Sequence, residues 1–443
     1  MPSRSGPRFV AYAFSSTILA VLALAQNGAP TSNLPTIKTN VRQVLVPVIV
    51  TDKSGHYAAD LDRNDFSVFE DGVPQKIVAF SRSPVSSEST ELLESTPGHA
   101  PATSPSSALN ASPKRTYLIC LDTLHSAFTN FAQVRQALRK FFAHEQGGDS
   151  QYALVALGWK LHVVVDSTRD PAVILAAIDS KSLLKTIQDS EASNIANEVD
   201  RFQQLVGRWC GGCQCTNQTT DMANILCPTW KAQVKATVFS FSERTALLNQ
   251  EFLQQLRQLV GAMSTMPTKR TVLFISDGFN RFPGQELYGI LKVYGVSDPE
   301  LKFNPQDLQP QLDAILKLAV RDDTRFYTLD SRGLYTYADA PGSGVDASSR
   351  GAAPAATHRA MLTAWSNGDA MAQLARETGG FFFENSNDLL RGIRRAFADG
   401  REECVLAYVP SNTRSDSQFR RITVEVKEKK LRVSAKAGYW PTP

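Results

Sequence analysis

Residues 272–280 read VLFISDGFN, four apolar residues followed by Ser276, Asp277 and Gly278. An apolar run of this length marks a strand buried on both faces, and the glycine marks a turn at its end. The acid is informative because open α/β sheets bind ligands and metals at the carboxyl edge of their strands. A second apolar run ends the same way. RTYLICLD, residues 115–122, closes on Asp122, with Leu124 and Ser126 in the loop that follows. Thr245 lies in SERTALLNQ, where a loop is expected to enter a long helix. If the strands are neighbours, Asp122, Ser126, Thr245 and Asp277 all reach one rim.

The surrounding pattern supports that geometry. NFAQVRQALRKFFAHE is an amphipathic helix with Phe131, Val134, Leu138, Phe141 and Phe142 on one side. YALVALG and LHVVVD are the next strands, and DPAVILAAIDS begins a helix with Asp170 and Pro171 at its amino end. QEFLQQLRQLVGAM is a further helix. RFYTLDSRG and GGFFFEN are later strands, each preceded by a helical pattern. Strands alternating with helices of this length predict an α/β fold: a doubly wound, mostly parallel sheet with helices on both faces. This region spans 114–400.

Both ends of the chain depart from it. Residues 37–83 form a small β unit, with Val44–Thr51, Phe66–Glu70 and Ile77–Phe80 as strands and Asp71-Gly72 as a turn. Residues 401–443 alternate again in CVLAYVP, FRRITVEVK and LRVSAKAGYW. Each unit is too small to be stable alone, so the two are expected to pair into one small β-sandwich beside the α/β core. Residues 84–113, rich in Ser, Pro, Thr and Ala, have the composition of a disordered linker.

Across all 443 residues, 42% are hydrophobic and 20% charged, with a net charge of +4. That balance is ordinary for a globular chain, and no basic run is long enough to form a nucleic-acid groove. Residues 1–25 carry the marks of a signal peptide: Arg4 and Arg8, an apolar stretch from Phe9, and Ala23-Leu24-Ala25 as a cleavage site. Retention as an anchor is the alternative. Either way the rest is exported, to a secreted, periplasmic or cell-envelope location, and no later segment is apolar for long enough to span a membrane. Four of the six cysteines, Cys210, Cys213, Cys215 and Cys227, fall in an insertion over about 180–235. In an exported protein two local disulfides are expected there rather than a zinc cluster. Cys120 and Cys404 are expected to be core thiols.

In combination these segments resemble a known family. Asp122, Ser126, Thr245 and Asp277 are similar to the metal-ion-dependent adhesion site of a von Willebrand factor type A domain, built from an Asp-x-Ser-x-Ser loop, a distant Thr and a distant Asp. VTDKSGHYAADLDRNDFSVFEDGVPQKIVAFS, LDTLHSAF, FYTLDSRGL, LARETGGFFFENSNDLLRGI and the C-terminal strands together resemble the von Willebrand factor A-related proteins abundant in Acidobacteria. The resemblance covers roughly residues 40–443 apart from the linker and the Cys-rich stretch. It implies Mg²⁺, or Mn²⁺ or Ca²⁺, held by Asp122, Ser126, Thr245 and Asp277, with an open position for a carboxylate from a protein partner. Leu124 stands where the family has its first loop hydroxyl, and leucine has no donor oxygen. Two readings follow: an adhesion module with a degenerate cation site, or a metal-independent envelope scaffold in which the site is vestigial. Asp122 and Asp277 also have simpler roles open to them, as caps of a turn or helix. No nucleophile elbow, His-Glu-x-x-His motif or phosphate loop is present, so no enzyme activity is expected.

Overall fold

The computed structural model describes residues 43–82, 115–334 and 368–441, apart from 59, 214, 216–225, 303, 305, 415 and 417. The signal-like residues 1–25 and the linker 84–113 lie outside the described residues, as does the Gly/Ala/Ser-rich stretch 339–356.

Two antiparallel sheets are built from both ends of the chain. The first pairs β1 (Val44–Thr51) and β4 (Ile77–Arg82) with β11 (Cys404–Tyr408) and β13 (Arg432–Ala435), in the order β13-β1-β11-β4. The second pairs β2 (Phe66–Glu70) and β3 (Val73–Gln75) with β12 (Arg420–Val426) and β14 (Gly438–Tyr439), in the order β14-β12-β2-β3. Val46, Val48, Phe66, Val68, Leu406, Tyr408 and Ile422 from the two sheets share one core. Within it the buried Glu70 carboxylate accepts hydrogen bonds from Tyr408 Oη at 2.6 Å, Tyr439 Oη at 2.9 Å and Arg420 at 3.2 Å. A buried carboxylate is tolerable only with such partners.

The third sheet holds β5 (Arg115–Asp122), β6 (Ser150–Leu157), β7 (Leu161–Thr168), β8 (Lys269–Ser276), β9 (Thr324–Asp330) and β10 (Phe382–Phe383), in the order β10-β9-β8-β5-β6-β7. All are parallel except β7. Burial on both faces explains their near-continuous apolar runs. One face is covered by α1 (Phe128–Phe142), α2 (Pro171–Ile178), α3 (Lys181–Gln188) and α9 (Leu389–Asp399). The other face is covered by the C-terminal half of α5 (Cys227–Met263), by α7 (Gln309–Arg321) and by α8 (368–377). The strand order reverses between β5 and β8, the kind of position where a crevice opens at the carboxyl edge.

The insertion differs from its expected extent. Leu183 and Ile187 of α3 are buried in the main core. The segment that stands apart is α4 (Ala192–Cys213) with the first half of α5. At 37 residues α5 is about 55 Å long at 1.5 Å per residue, whereas the eight residues of β8 span about 26 Å. The helix therefore overshoots the carboxyl edge. Its projecting half packs Val234, Val238 and Phe241 against Phe202, Val206 and Trp209 of α4 and Leu287, Ile290 and Leu291 of α6 (Gln285–Val293). Disulfides Cys210–Cys215 and Cys213–Cys227 lock the far end of this cap, while Cys120 and Cys404 are buried free thiols.

The sandwich is joined to the opposite, amino edge of the sheet. Tyr57 donates to Asp399 Oδ1 at 2.6 Å, and Glu403 accepts from both Lys269 at 2.5 Å and Arg325 at 2.7 Å. No described helix is long and apolar enough to cross a membrane.

Within the sheet, Gly380 lies hard against β9, because a β-carbon there would lie 1.8 Å from the Phe326 carbonyl oxygen. Gly380→Ala should lower stability by about 1–3 kcal/mol through forced backbone displacement. Gly211→Ala, whose added carbon meets nothing within 4 Å, should be neutral or mildly stabilising. Thermal melts of the two variants test this, and equal melting temperatures would contradict it.

Candidate functional site

β5 and β8 pair in register, with Leu121 opposite Ile275, so Asp122 and Ser276-Asp277 emerge side by side. β9 pairs Asp330 with Ser276 and delivers Ser331 to the same rim. Asp122, Ser126, Thr245 and Asp277 are all buried, at 3%, 6%, 7% and 9% exposure.

Every oxygen of the two carboxylates is engaged by at least one protein donor. Asp122 Oδ1 accepts the backbone N–H groups of Leu124 at 2.9 Å and His125 at 3.0 Å. Its Oδ2 accepts the Ser276 hydroxyl at 2.6 Å and lies 2.9 Å from His125 Nδ1. Asp277 Oδ2 accepts Ala127 N–H at 2.9 Å and the Asn130 side-chain amide at 2.8 Å. Its Oδ1 accepts the Ser331 hydroxyl at 2.5 Å. Asp277 therefore sits at the amino end of α1, where Ala127 supplies no side-chain cap. A carboxylate is favoured there by the free N–H groups and by the helix dipole.

The two hydroxyls behave differently. Ser126 Oγ accepts Asp277 N–H at 3.1 Å and belongs to the cluster. Thr245 lies inside α5 rather than in a loop, because the amphipathic pattern of that helix runs on through it. Its hydroxyl donates back to Phe241 O at 2.8 Å, the usual way for a threonine within a helix to satisfy its polar atom. Leu124 is 2% exposed and packs in the core with Leu248 and Phe252.

Sequence reasoning missed the residues that close this rim. His125 lies in the loop between Leu124 and Ser126, and its ring is buried against Phe252 and Phe279, with centroids 4.7 and 5.7 Å away. Its Nε2 lies 2.9 Å from Asn249 Oδ1, and Asn249 donates to the Asn280 carbonyl at 2.8 Å. Ser190, just before α4, donates to the carbonyls of Leu124 at 3.1 Å and Ser126 at 2.8 Å, which ties the start of the cap to the loop. Ser331 could have been found from TLDSRG, which ends a third strand on acid and hydroxyl in the manner of LDTLHS and ISDG.

As arranged, these residues do not fit a divalent cation. Mg²⁺ requires near-octahedral oxygens. Here Leu124 offers none, Thr245 is turned onto its own helix, and the carboxylate oxygens are taken by N–H and O–H donors. Among the described residues no group of three or more His, Cys, Asp or Glu side chains is placed to hold a metal.

No protein-family model matches the chain. No curated protein matches it either. Among solved structures, an aerotolerance-related membrane protein from Bacteroides fragilis NCTC 9343 aligns at 12% identity and TM-score 0.30, over 64% of this chain and 98% of that one. BatB from Bacteroides thetaiotaomicron aligns at 9% and TM-score 0.26, over 64% and 97%. The pilus adhesin SpaC from Lactobacillus rhamnosus GG aligns at 10% and TM-score 0.32, over 75% and 44%. At these scores the likeness adds nothing to what the chain's own residues show.

The rim has a definite pH signature. Burial pushes the Asp277 carboxyl up to about 6, outweighing the Ala127, Ser331 and Asn130 donors. For His125, burial alone would lower the ring's affinity for a proton, but the Asp122 charge and hydrogen bond outweigh it and the net shift is upward. Both groups bind protons more tightly in the folded state, so their contribution is greatest at low pH and is lost as pH rises through their folded values. For Asp277 the change between about pH 5 and pH 7.5 is on the order of 1 kcal/mol. Urea denaturation at both pH values should show Asp277→Asn losing that part of the dependence. An unchanged slope in the variant would contradict the assignment.

Proposed function

We propose that the protein is an exported, non-enzymatic binding module that engages protein partners without a bridging metal ion. One observation carries this reading: the residues of the expected adhesion site are enclosed beneath the disulfide-locked cap and hydrogen-bonded to one another. A partner's carboxylate has no open coordination position to enter. Recognition then falls to the outer surface of α5, which presents Phe239 on the cap and Leu247 where the helix passes onto the sheet. At 69% and 66% exposure they are the most exposed large apolar side chains among the described residues. Isolated apolar side chains on a surface are ordinary, but on a rigid, stapled helix they are fit to anchor a partner. Two disulfides suit an oxidising compartment.

The cation-bridged reading keeps one point in its favour, the convergence of Asp122, Ser126 and Asp277 at a single rim. Capture of partners from envelope extract with and without EDTA separates the two. Capture should survive EDTA and fall at least several-fold in Phe239→Ser/Leu247→Ser, since a buried apolar anchor is commonly worth more than 1 kcal/mol. Capture abolished by EDTA and untouched by the α5 substitutions would favour the cation.

A further inference from the structure

Hydrogen-bond partners fix the state of His125 on both sides of its ring. The Asn280 carbonyl oxygen can only accept, so the atom of Asn249 that faces it is the amide nitrogen and the atom that faces His125 is the oxygen. Nε2 must therefore donate. On the other side, the Ser276 hydroxyl accepts Gly278 N–H at 2.8 Å, which directs its own proton to Asp122 Oδ2. With two backbone N–H groups on Oδ1 as well, every other contact of the Asp122 carboxyl donates to it, and Nδ1, 2.9 Å from Oδ2, completes the set as a further donor. A ring that donates from both nitrogens is an imidazolium. A buried histidine with a purely structural role needs only one donor nitrogen.

The surroundings suit a cation. Asp122 on β5, Asp277 after β8 and Glu286 on α6 all act electrostatically on the ring. Asn249 on α5 presents its amide oxygen, and Phe252 stands edge-on. Leu124 accounts for the ring's position. By burying its side chain in the core beside Leu248 and Phe252, it anchors the loop with the next residue turned inward.

We propose that the His125 imidazolium is a built-in cation between Asp122 and α5, supplying the positive charge that a divalent ion would bring to this rim, and that Leu124 is the companion residue that seats it. This rests on the metal-independent reading above and explains it chemically. The negative charge at the rim is neutralised by a side chain that cannot be chelated.

Two experiments test this. Thermal melts compare the whole protein with Leu124→Ser/His125→Ala, which restores a hydroxyl and vacates the ring's place. The melting temperature of the unmodified protein should be indifferent to millimolar Mg²⁺, Mn²⁺ or EDTA. The double variant should melt lower in EDTA and recover by several degrees in Mg²⁺ or Mn²⁺, as ligand-linked stability requires. A folded variant with no response to metal sinks the built-in cation while leaving metal-independent binding intact. A metal response in the unmodified protein overturns both. Should the variant fail to fold, ¹⁵N spectra of histidine-labelled, unmodified protein at neutral pH decide instead. The His125 signal, identified by its loss in His125→Gln, should show protons on both ring nitrogens, and a single neutral tautomer overturns the proposal.

Discussion

Two carboxylates withdrawn from water at the ends of neighbouring strands must be neutralised, and much of the carboxyl rim is organised around that requirement. An unpaired buried charge is too costly to persist. Asp122 is met by a tight turn, a serine from the adjacent strand and a histidine. Asp277 is met by the amino end of α1, by Asn130 and by Ser331 from a third strand. Parallel register brings the acids together, so strands β5, β8 and β9 and helix α1 are bound to one another through the same few oxygens. Such a fully connected network fixes a unique arrangement of loops in addition to whatever stability it adds.

The cap follows from one helix serving two bodies. The second half of α5 covers the sheet, and the first half runs beyond the sheet edge to make a separate core with α4 and α6. The projecting half has a small hydrophobic cluster and long, exposed sides. Local cross-links are an effective way to secure it, because they restrict the unfolded chain where burial is limited. The Arg244–Glu198, Lys231–Asp298 and Lys235–Glu300 ion pairs decorate its flanks. At their exposure they contribute little compared with Phe202, Trp209 and Phe241 beneath them.

The amino edge of the sheet is resolved differently. There the sandwich closes over the strand starts through Glu403, shared by Lys269 and Arg325, and through the Tyr57–Asp399 hydrogen bond. Burial raises the Asp399 carboxyl's proton affinity despite the Tyr57 donor. The sheet is thus held between a stapled helical cap at one end and a sandwich at the other, and neither end leaves its central strands open to water.

Local pattern determined most of the elements. The apolar runs ending in Asp122 and Asp277, the 3.6-residue spacing of Phe131, Val134 and Leu138, and the Asp170-Pro171 helix start each carry their conformation in a few adjacent residues. The meeting of the two acids was also legible, because parallel strands of similar length deliver their carboxyl ends to one edge. The expected three-phenylalanine strand was only partly right: Phe382 and Phe383 form β10, while Phe381 lies at the surface under the Arg395 guanidinium, 3.9 Å from its ring centre. Tertiary structure alone decided what the acids bind. Whether Thr245 faces the rim or its own helix depends on where a 37-residue helix begins. Whether His125 points inward depends on the long-range burial of Leu124 beside α5. Sequence spacing fixes which groups share an edge, but hydrogen-bond partners more than a hundred residues apart, such as His125 and Asn249, are chosen only when the chain is packed.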